Sequence, residues 1–327
     1  MPTTAGTYQY RQLQQKLRGV LRRRLRLLPF YGGELIPTMT DLIPGTRELI
    51  QDEVLEFGEA ALMAPDADDI PLVEINATEN TYRVVMPVAG YSVSFQEELA
   101  TNVARSNGMQ YNPRDVKLGA ATRVLEERCA KVAAIGSVPH GFTGLLNNAA
   151  VTPVNASFDP FSNGSSADAI ADWILTLIGD IFASSNNIEY PNTMLVSTRL
   201  GNLLERRRMP DSGDTILTYI MRTQAARASM NSGQGLKKIV PLVECGSAFL
   251  EANGVEAGGA NQDRIVLYPM DPEVLEKHMM SGAISLFPED WVLNKGARKI
   301  YPMYSFMSQT IINYPGAFSY IRHAREV

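Results

Sequence analysis

The clearest pattern of apolar and polar positions in the chain predicts one long helix between Asn112 and Gly136. Asn112 can cap the first turn, Pro113 suits the first helical position, and Gly136 can adopt the left-handed conformation that ends a helix. About 23 residues rising 1.5 Å each give a rod of roughly 35 Å with one buried face. The apolar positions of that face recur every three or four residues: Leu118, Ala121, Leu125, Cys129, Val132 and Ile135.

Amphipathic spacing predicts further helices on both sides of the long one. Ser94 and Glu97 have the spacing of a capping box, which places a helix start there. A broad apolar face follows the polar loop that ends at Ser166. In chain order, these helices are predicted at Thr46–Gly58, Ser94–Asn107, Asp168–Ala183, Thr198–Arg208 and Pro272–His278.

Short apolar or alternating runs predict strands, and they concentrate in the last third of the chain. The first two runs are predicted to pair as a long hairpin, and residues 56–90 alone do not distinguish an extended loop that overlaps a neighbour from an ordinary surface hairpin. Between Pro29 and Gly45, repeated prolines and glycines predict an extended arm that reaches away from its own body. The predicted strands are Leu72–Ile75, Tyr82–Val88, Met194–Ser197, Ile239–Val243, Arg264–Tyr268, Ala283–Phe287, Lys299–Phe306, Gln309–Tyr314 and Phe318–Ile321.

Charge is divided unevenly along the 327 residues. The net charge is −5, but residues 1–33 hold seven basic and no acidic side chains, which leaves the rest at −12. Leucines between Arg11 and Leu28 keep helical spacing, so this segment is predicted to be a basic amphipathic helix. Its candidate nucleic-acid-facing residues are Arg18, Arg22, Arg23, Arg24 and Arg26.

Two interpretations of this basic helix are open. Its arginines can neutralise nucleic-acid phosphates without reading bases, or its leucines can pack on a neighbouring subunit while the arginines stay in water. A membrane-surface helix or an organelle-targeting peptide has a similar composition, but no other feature of the sequence supports either.

The sequence contains no recognisable catalytic motif, so no catalytic residue, cofactor-binding residue or metal ligand is assigned. Histidines 140, 278 and 323 are scattered without ligand spacing, and the acidic run 66–69 lacks the glycine and glutamate of a calcium loop. Cys129 and Cys245 are predicted to be reduced and packed. No apolar run is long enough for a membrane span or signal peptide, which predicts a cytosolic chain without membrane partners.

Directly after the long helix, Val138 to Asn148 read Val-Pro-His-Gly-Phe-Thr-Gly-Leu-Leu-Asn-Asn. A long helix followed by Gly-Phe-Thr-Gly-Leu-Leu-Asn resembles the major capsid proteins of tailed bacteriophages, whose fold is shared with encapsulin shell proteins. Only this junction is sequence-specific, whereas the order and lengths of the parts extend the resemblance over most of the chain. The resemblance implies an α+β fold with an N-terminal arm, an extended β-hairpin loop, a peripheral domain with a long spine helix and sheet, and an axial domain.

On that resemblance, the chain divides into a basic N-terminal arm (1–48), an extended loop (49–92), a peripheral segment with the spine helix (93–150), an axial domain (151–262) and returning peripheral strands (263–327). The implied function is a homo-oligomeric icosahedral shell of pentamers and hexamers around double-stranded DNA, assembled in the bacterial cytoplasm. Scaffolding, portal or decoration proteins would be further partners. The alternatives are an encapsulin-like compartment and an enzyme whose site is assembled from distant residues.

Some members of that family join subunits covalently through a lysine in the extended loop. This chain has no lysine between Lys16 and Lys117. We therefore expect no such cross-link, and shell stability would come from overlapping apolar contacts.

Overall fold

The computed structural model describes residues 28–57, 74–106, 113–137, 140–185, 187–210, 212–230, 233–255, 262–282, 284–288, 293–295 and 297–324. Within these ranges the helices are α1 (Phe95–Ser106), α2 (Pro113–Ile135), α3 (Ala167–Ser184), α4 (Thr198–Arg206), α5 (Ile216–Met230) and α6 (Ser247–Ala252). The strands are β1 (Thr38–Leu42), β2 (Glu48–Phe57), β3 (Glu74–Val85), β4 (Val88–Ser94), β5 (Val154–Asn155), β6 (Thr193–Ser197), β7 (Lys238–Leu242), β8 (Gln262–Tyr268), β9 (Leu275–Met280), β10 (Ser285–Leu286), β11 (Leu293–Lys295), β12 (Arg298–Tyr304), β13 (Met307–Ser308), β14 (Ile311–Ile312) and β15 (Ser319–Ala324). The mixed α+β fold class is confirmed.

Helix α2 is the predicted long helix, with 23 residues. Its predicted stripe is buried from Ala121 to Ile135, whereas Leu118 at the first turns is half-buried. Toward its end Ala130, Ala133 and Ala134 are buried as well, so the last turns are enclosed on several sides. Gly136 follows with a φ of 71°, the left-handed conformation expected of a residue that ends a helix.

A five-stranded sheet in the order β5-β15-β8-β6-β7 separates two cores. Met194, Val196, Ile265 and Leu267 face the core that α3, α4 and α5 cover, while alternate side chains face the core around α2. Both faces are therefore buried, as the continuous apolar runs of β6 and β8 predict. Strand β15 and all of β8 except Gln262 belong to the segment 263–327 and pair within this sheet. The domain boundaries stay predictions.

Residues 28–42 pack into the body of their own chain, so the prediction that this segment reaches away is wrong. Phe30, Leu35 and Ile36 are almost fully buried beside the end of α2. Strand β1 pairs in parallel with β9, with Thr38 opposite Lys277. Three apolar side chains outweigh the local effect of the glycines and prolines, because burying each one contributes about 1.5–3 kcal/mol.

A long antiparallel hairpin extends the sheet of order β1-β9-β13-β3-β2. Strands β2 and β3 pair without interruption from Glu48 opposite Arg83 to Phe57 opposite Glu74. The predicted helix at Thr46–Gly58 is therefore wrong within the described part, and Ile75 and Tyr82, predicted on opposite strands, both lie on β3. Cross-strand pairing overrides the helix propensity of the glutamates and leucines in β2.

The predicted helix at Pro272–His278 is also wrong, because β9 occupies Leu275–Met280. Leu275 and Lys277 are buried and Glu276 and His278 are half-buried, which is the alternation of a strand. Strands β4 and β12 pair in a third sheet, which is antiparallel and lies over the first half of α2, where Tyr91 and Met303 meet Leu125. Helices α5 and α6 were not predicted. None of the described helices is both long and apolar enough to cross a bilayer.

Candidate assembly surface

The five arginines predicted to face nucleic acid, Arg18, Arg22, Arg23, Arg24 and Arg26, lie outside the described residues. The same holds for 58–73, which includes the predicted acidic run 66–69, and for Val138 and Pro139. Their predicted roles stay predictions. The described surfaces that bear on function are the junction after α2, the segment that enters at Leu28, and the β2–β3 hairpin.

The junction after α2 satisfies the carbonyl groups that a helix end leaves open. The Leu145 N–H donates to the Ala133 carbonyl at 3.0 Å, and the Leu146 N–H donates to the Ala134 carbonyl at 2.8 Å. The Asn147 side-chain amide donates to the Ile135 carbonyl at 3.0 Å. The Gly-Leu-Leu-Asn sequence therefore folds back onto the helix as its cap.

Gly144 makes this return possible because its backbone lies against the backbone of α2. A Cβ at position 144 would lie 2.5 Å from the carbonyl carbon of Ala134 and 2.5 Å from the nitrogen of Ile135. Two side chains of the five-stranded sheet then hold the junction from the other side: Tyr320 donates to the Leu145 carbonyl and Arg264 donates to the Leu146 carbonyl. The spine helix and the five-stranded sheet are thus joined through one segment of backbone.

Lys277 on β9 fixes the segment that enters the body at Leu28. Its ammonium donates to the carbonyl of Phe30 at 2.6 Å and to that of Tyr31 at 2.8 Å. Burial lowers the pKa of Lys277 to about 8. The Tyr268 hydroxyl donates to the Leu35 carbonyl at 2.8 Å, so two buried polar side chains hold this entry.

The β2–β3 hairpin exposes apolar side chains on one face. Ile50 and Ile75 are each 67% exposed. The register places Ile50 opposite Thr81 and Ile75 opposite Glu56, so both isoleucines lie on the same face, roughly 20 Å apart. At the base of the hairpin, the Arg83 guanidinium donates to the His140 carbonyl at 2.7 Å and ties the hairpin to the junction.

More apolar side chains are exposed where the chain passes from the hairpin to the helices. They lie on the connection after β3, on α1 and on the outer face of α2. A groove of about 500 Å³ runs between the hairpin base and α2. With the two hairpin isoleucines they form the apolar surface: Ile50, Ile75, Met86, Val88, Phe95, Leu99 and Val124.

Helix α1 is held in place by the capping box that the sequence predicts. The Ser94 N–H donates to the Glu97 carboxylate at 3.0 Å, and the Glu97 N–H donates to the Ser94 hydroxyl at 3.2 Å. Lys117 bridges from α2 to the same carboxylate at 2.7 Å, and this contact, with the Ser94 N–H, keeps the pKa of Glu97 below its usual range. The exposed apolar side chains of α1 therefore stand on a fixed support.

The two cysteines and two of the histidines pack within the fold. Cys129 and Cys245 are buried and not joined by a disulfide, as predicted. Burial raises the pKa of the Cys129 thiol to about 11. His278 contacts Asp41 at 2.7 Å across β9 and β1, and His323 is buried next to Phe161 and Trp173. No group of three or more His, Cys, Asp or Glu side chains in the described ranges is placed to hold a metal ion.

Comparisons with known proteins agree with this architecture. The model of a family described as "Major capsid protein" matches residues 58–323. The structure of the capsid of Myoviridae phage XM1 is similar with a TM-score of 0.71 and 12% identity, covering 96% of this chain and 97% of that chain. A structure from Gordonia phage Cozz has a TM-score of 0.59 and 12% identity over 99% and 96% of the two chains.

The capsid of an empty GTA particle has a TM-score of 0.56 and 10% identity over 99% and 100% of the two chains. No curated protein matches the sequence. At these identities the structural likeness shows the fold, and the family match, which spans most of the chain, shows the family. The chain belongs to the major capsid protein family and is a structural subunit of a virion shell.

Proposed function

We propose that this subunit assembles into an icosahedral shell of pentamers and hexamers that encloses double-stranded DNA. The observation that carries the proposal is the family match over residues 58–323. Shell assembly requires large contacts between copies of the chain, and the apolar surface supplies side chains for such contacts. Clusters of exposed apolar side chains are typical of surfaces where proteins associate.

The contacts between subunits are proposed to be mainly apolar. The seven apolar side chains of this surface, between 46% and 67% exposed, would be covered by second copies of the chain. Each buried Å² contributes about 25 cal/mol, and a stable interface buries roughly 1,600 Å². Many weak contacts of this kind, repeated over a closed shell, hold it together without a cross-link.

The remaining partners and the compartment belong to the same proposal. Assembly takes place in the cytoplasm of a bacterial host, with scaffolding, portal or decoration proteins as additional contacts. The chain acts without catalysing a reaction. The basic helix within residues 1–27 is proposed to contact either the enclosed DNA or a neighbouring subunit.

Electron microscopy of the purified full chain tests shell formation. Closed particles tens of nanometres across are expected, whereas small monodisperse oligomers would contradict the proposal. Particles taken from an infected culture and treated with nuclease should still yield double-stranded DNA. Closed particles that enclose a protein and no DNA would instead support the encapsulin-like alternative.

A further inference from the structure

A groove of about 570 Å³ lies between the loop before α3 and one face of α4. Its walls are unusually rich in cationic and amide side chains for a chain whose residues after position 33 carry a net charge of −12. The groove has no part in the apolar surface. The lining residues that matter are Phe161 and Asn163 from the loop, and Arg199, Asn202, Arg206 and Arg207 from α4 and its end.

Helix geometry aligns the donors of the groove. Arg199, Asn202 and Arg206 are spaced three and four residues apart, so they share one face of α4 and follow one another along it. All three are exposed. The row of side chains is therefore extended along the helix axis, which suits a linear ligand better than a compact one.

Two contacts hold the groove in shape without a ligand. The Arg199 guanidinium lies over the Phe161 ring, 5.5 Å from its centroid, and such a cation–π contact restricts the arginine. The Arg207 guanidinium donates to the Ser165 carbonyl at 2.7 Å and fastens the loop to the end of α4. Phe161 is itself packed against the buried His323 ring, which anchors the groove floor to the core.

Two of the groove arginines lack an ion-pair partner among the described residues. The ion pairs in the described part of the chain leave out both Arg206 and Arg207. Arginine, asparagine and serine are side chains that commonly donate to phosphate oxygens, and such contacts do not depend on base sequence. The groove thus combines a linear row of donors with the positive charge of Arg206 and Arg207, which form no ion pair with a described carboxylate.

We propose that this groove binds the phosphate backbone of the enclosed DNA. The inference rests on the proposed function, since it requires DNA inside the shell, and it adds a described DNA contact to the basic helix of residues 1–27. Binding would be electrostatic and indifferent to sequence. It also places this face of α4 on the inside of the shell.

The direct test is binding of a short DNA duplex to the full-length chain in its unassembled form, measured over a range of salt concentrations. The variant R199Q/R206Q removes two charges but leaves Arg207, which has a structural hydrogen bond. If each lost arginine contacts one phosphate, the slope of log affinity against log salt falls by about 1.8 in magnitude. At 0.1 M salt we expect an affinity loss of more than about tenfold.

Two further variants make this test specific. R199K/R206K keeps the charge and should retain most of the salt slope. R47Q/K237Q removes two exposed charges that do not line the groove and should change the slope little. Equal slopes for R199Q/R206Q and R47Q/K237Q would overturn the proposal, because the effect would then follow net charge alone.

Particle formation separates this inference from the proposed function. R199Q/R206Q should still form closed particles. If it does so and its affinity for the duplex is unchanged, the proposal that the groove binds DNA is wrong, while the proposal that the chain forms a shell stands. If R199Q/R206Q instead blocks assembly and leaves duplex binding unchanged, the groove contacts an acidic segment of another subunit and the inference is wrong. Failure of the wild-type chain to form particles would overturn the proposed function, and the duplex assay would still be readable.

The orientation of the groove can be checked with a thiol probe. Both native cysteines are at most 1% exposed, so N202C introduces an accessible thiol against a low background. A bulky maleimide should label N202C in dissociated subunits and react slowly in intact particles. Equal labelling rates in the two states would place the groove on the outside and overturn the inference.

Discussion

The junction after the spine helix and the β2–β3 hairpin have opposite relations to the rest of the chain. At the junction, the last helical carbonyls are satisfied by the following residues, and Tyr320 and Arg264 close it from the sheet side. The hairpin pairs only with itself along most of its length and holds Ile50 and Ile75 in water. The first region is complete within one subunit, whereas the second has apolar side chains that no described residue of the same chain covers.

This difference separates folding from assembly. A change at the junction should act on the stability of the isolated subunit, because its partners lie in the same chain. A change on the exposed hairpin face should leave that stability nearly unchanged and act on particle formation. Variants at the junction and on the hairpin can therefore test this difference, through the stability of the subunit and the yield of particles.

The largest effect is expected for G144A at the junction. Its new methyl group would meet backbone atoms of α2 at 2.5 Å, and the helix backbone cannot move aside as a flexible side chain would. Overpacking of this kind costs about 3 kcal/mol or more of unfolding free energy. Urea unfolding followed by circular dichroism measures it.

The control for G144A is G119A within α2 itself, where an added Cβ meets nothing within 4 Å. Alanine is favoured over glycine within a helix, so G119A should stabilise the subunit by up to about 1 kcal/mol. Similar unfolding curves for the two variants would mean that the junction is not closely packed.

Two adjacent residues of α2 test the same contrast on a single helix. Leu125 is 1% exposed and Val124 is 57% exposed. L125A should lower the unfolding free energy by about 3 kcal/mol, because it leaves a cavity between α2 and Tyr91. V124A should change it by less than about 0.5 kcal/mol, and equal losses at both positions would contradict the assignment of the buried face.

Lys277 gives an intermediate effect that depends on pH. Its pKa is about 8 in the fold against 10.5 for an ordinary lysine, so between these values the unfolded chain binds more protons than the folded chain. The contribution of Lys277 to the unfolding free energy therefore rises with pH, by about 2 kcal/mol from pH 8 to pH 10. Neighbouring groups such as Cys129 titrate in the opposite sense, which makes a difference measurement necessary.

That measurement compares the wild type with K277M in urea unfolding at pH 8, 9 and 10. The stability of the wild type minus that of the variant should increase over this series. A flat difference would show that Lys277 keeps an ordinary pKa and that its two carbonyl contacts offset the cost of burial.

The smallest effect on folding is expected for the hairpin variant I50S/I75S. Its unfolding free energy should stay within about 0.5 kcal/mol of wild type, since both side chains are already in water. Particle yield, counted by electron microscopy, should fall strongly. The matched control N76S/T78S lies on the opposite face of the hairpin and should assemble normally. If I50S/I75S forms normal particles, the exposed face of the hairpin does not take part in assembly.

Local signals were enough to predict the helices whose ends are marked by the sequence. Helix α2 has Pro113 at its first position and Gly136 after its last, and α3 begins after Ser166, whose hydroxyl accepts from the Ala169 N–H. These contacts involve residues three or four positions apart. Helix α5, which was not predicted, has a similar local signal in the spacing of Ile216 and Ile220, both fully buried.

Strands β2 and β9 were predicted as helices because their residue types favour helices locally. Their pairing partners come from elsewhere in the chain: β9 pairs with β1, β13 and β14. Such contacts are not visible in a window of ten residues. The same holds for the groove, whose two walls come from Phe161 and from Arg199, although the run Arg206 to Arg208 already marked a basic cluster.

The parallel pairing of β1 with β9 also has a consequence for synthesis on the ribosome. Thr38 finds its partner Lys277 about 240 residues later, and at 5–20 residues per second the ribosome needs roughly 10–50 s to make that stretch. During this time Phe30, Leu35 and Ile36 lack part of the core that later buries them. The growing chain therefore presents an early apolar segment that a chaperone can bind, and the body that carries the hairpin is completed only after β9 has been translated.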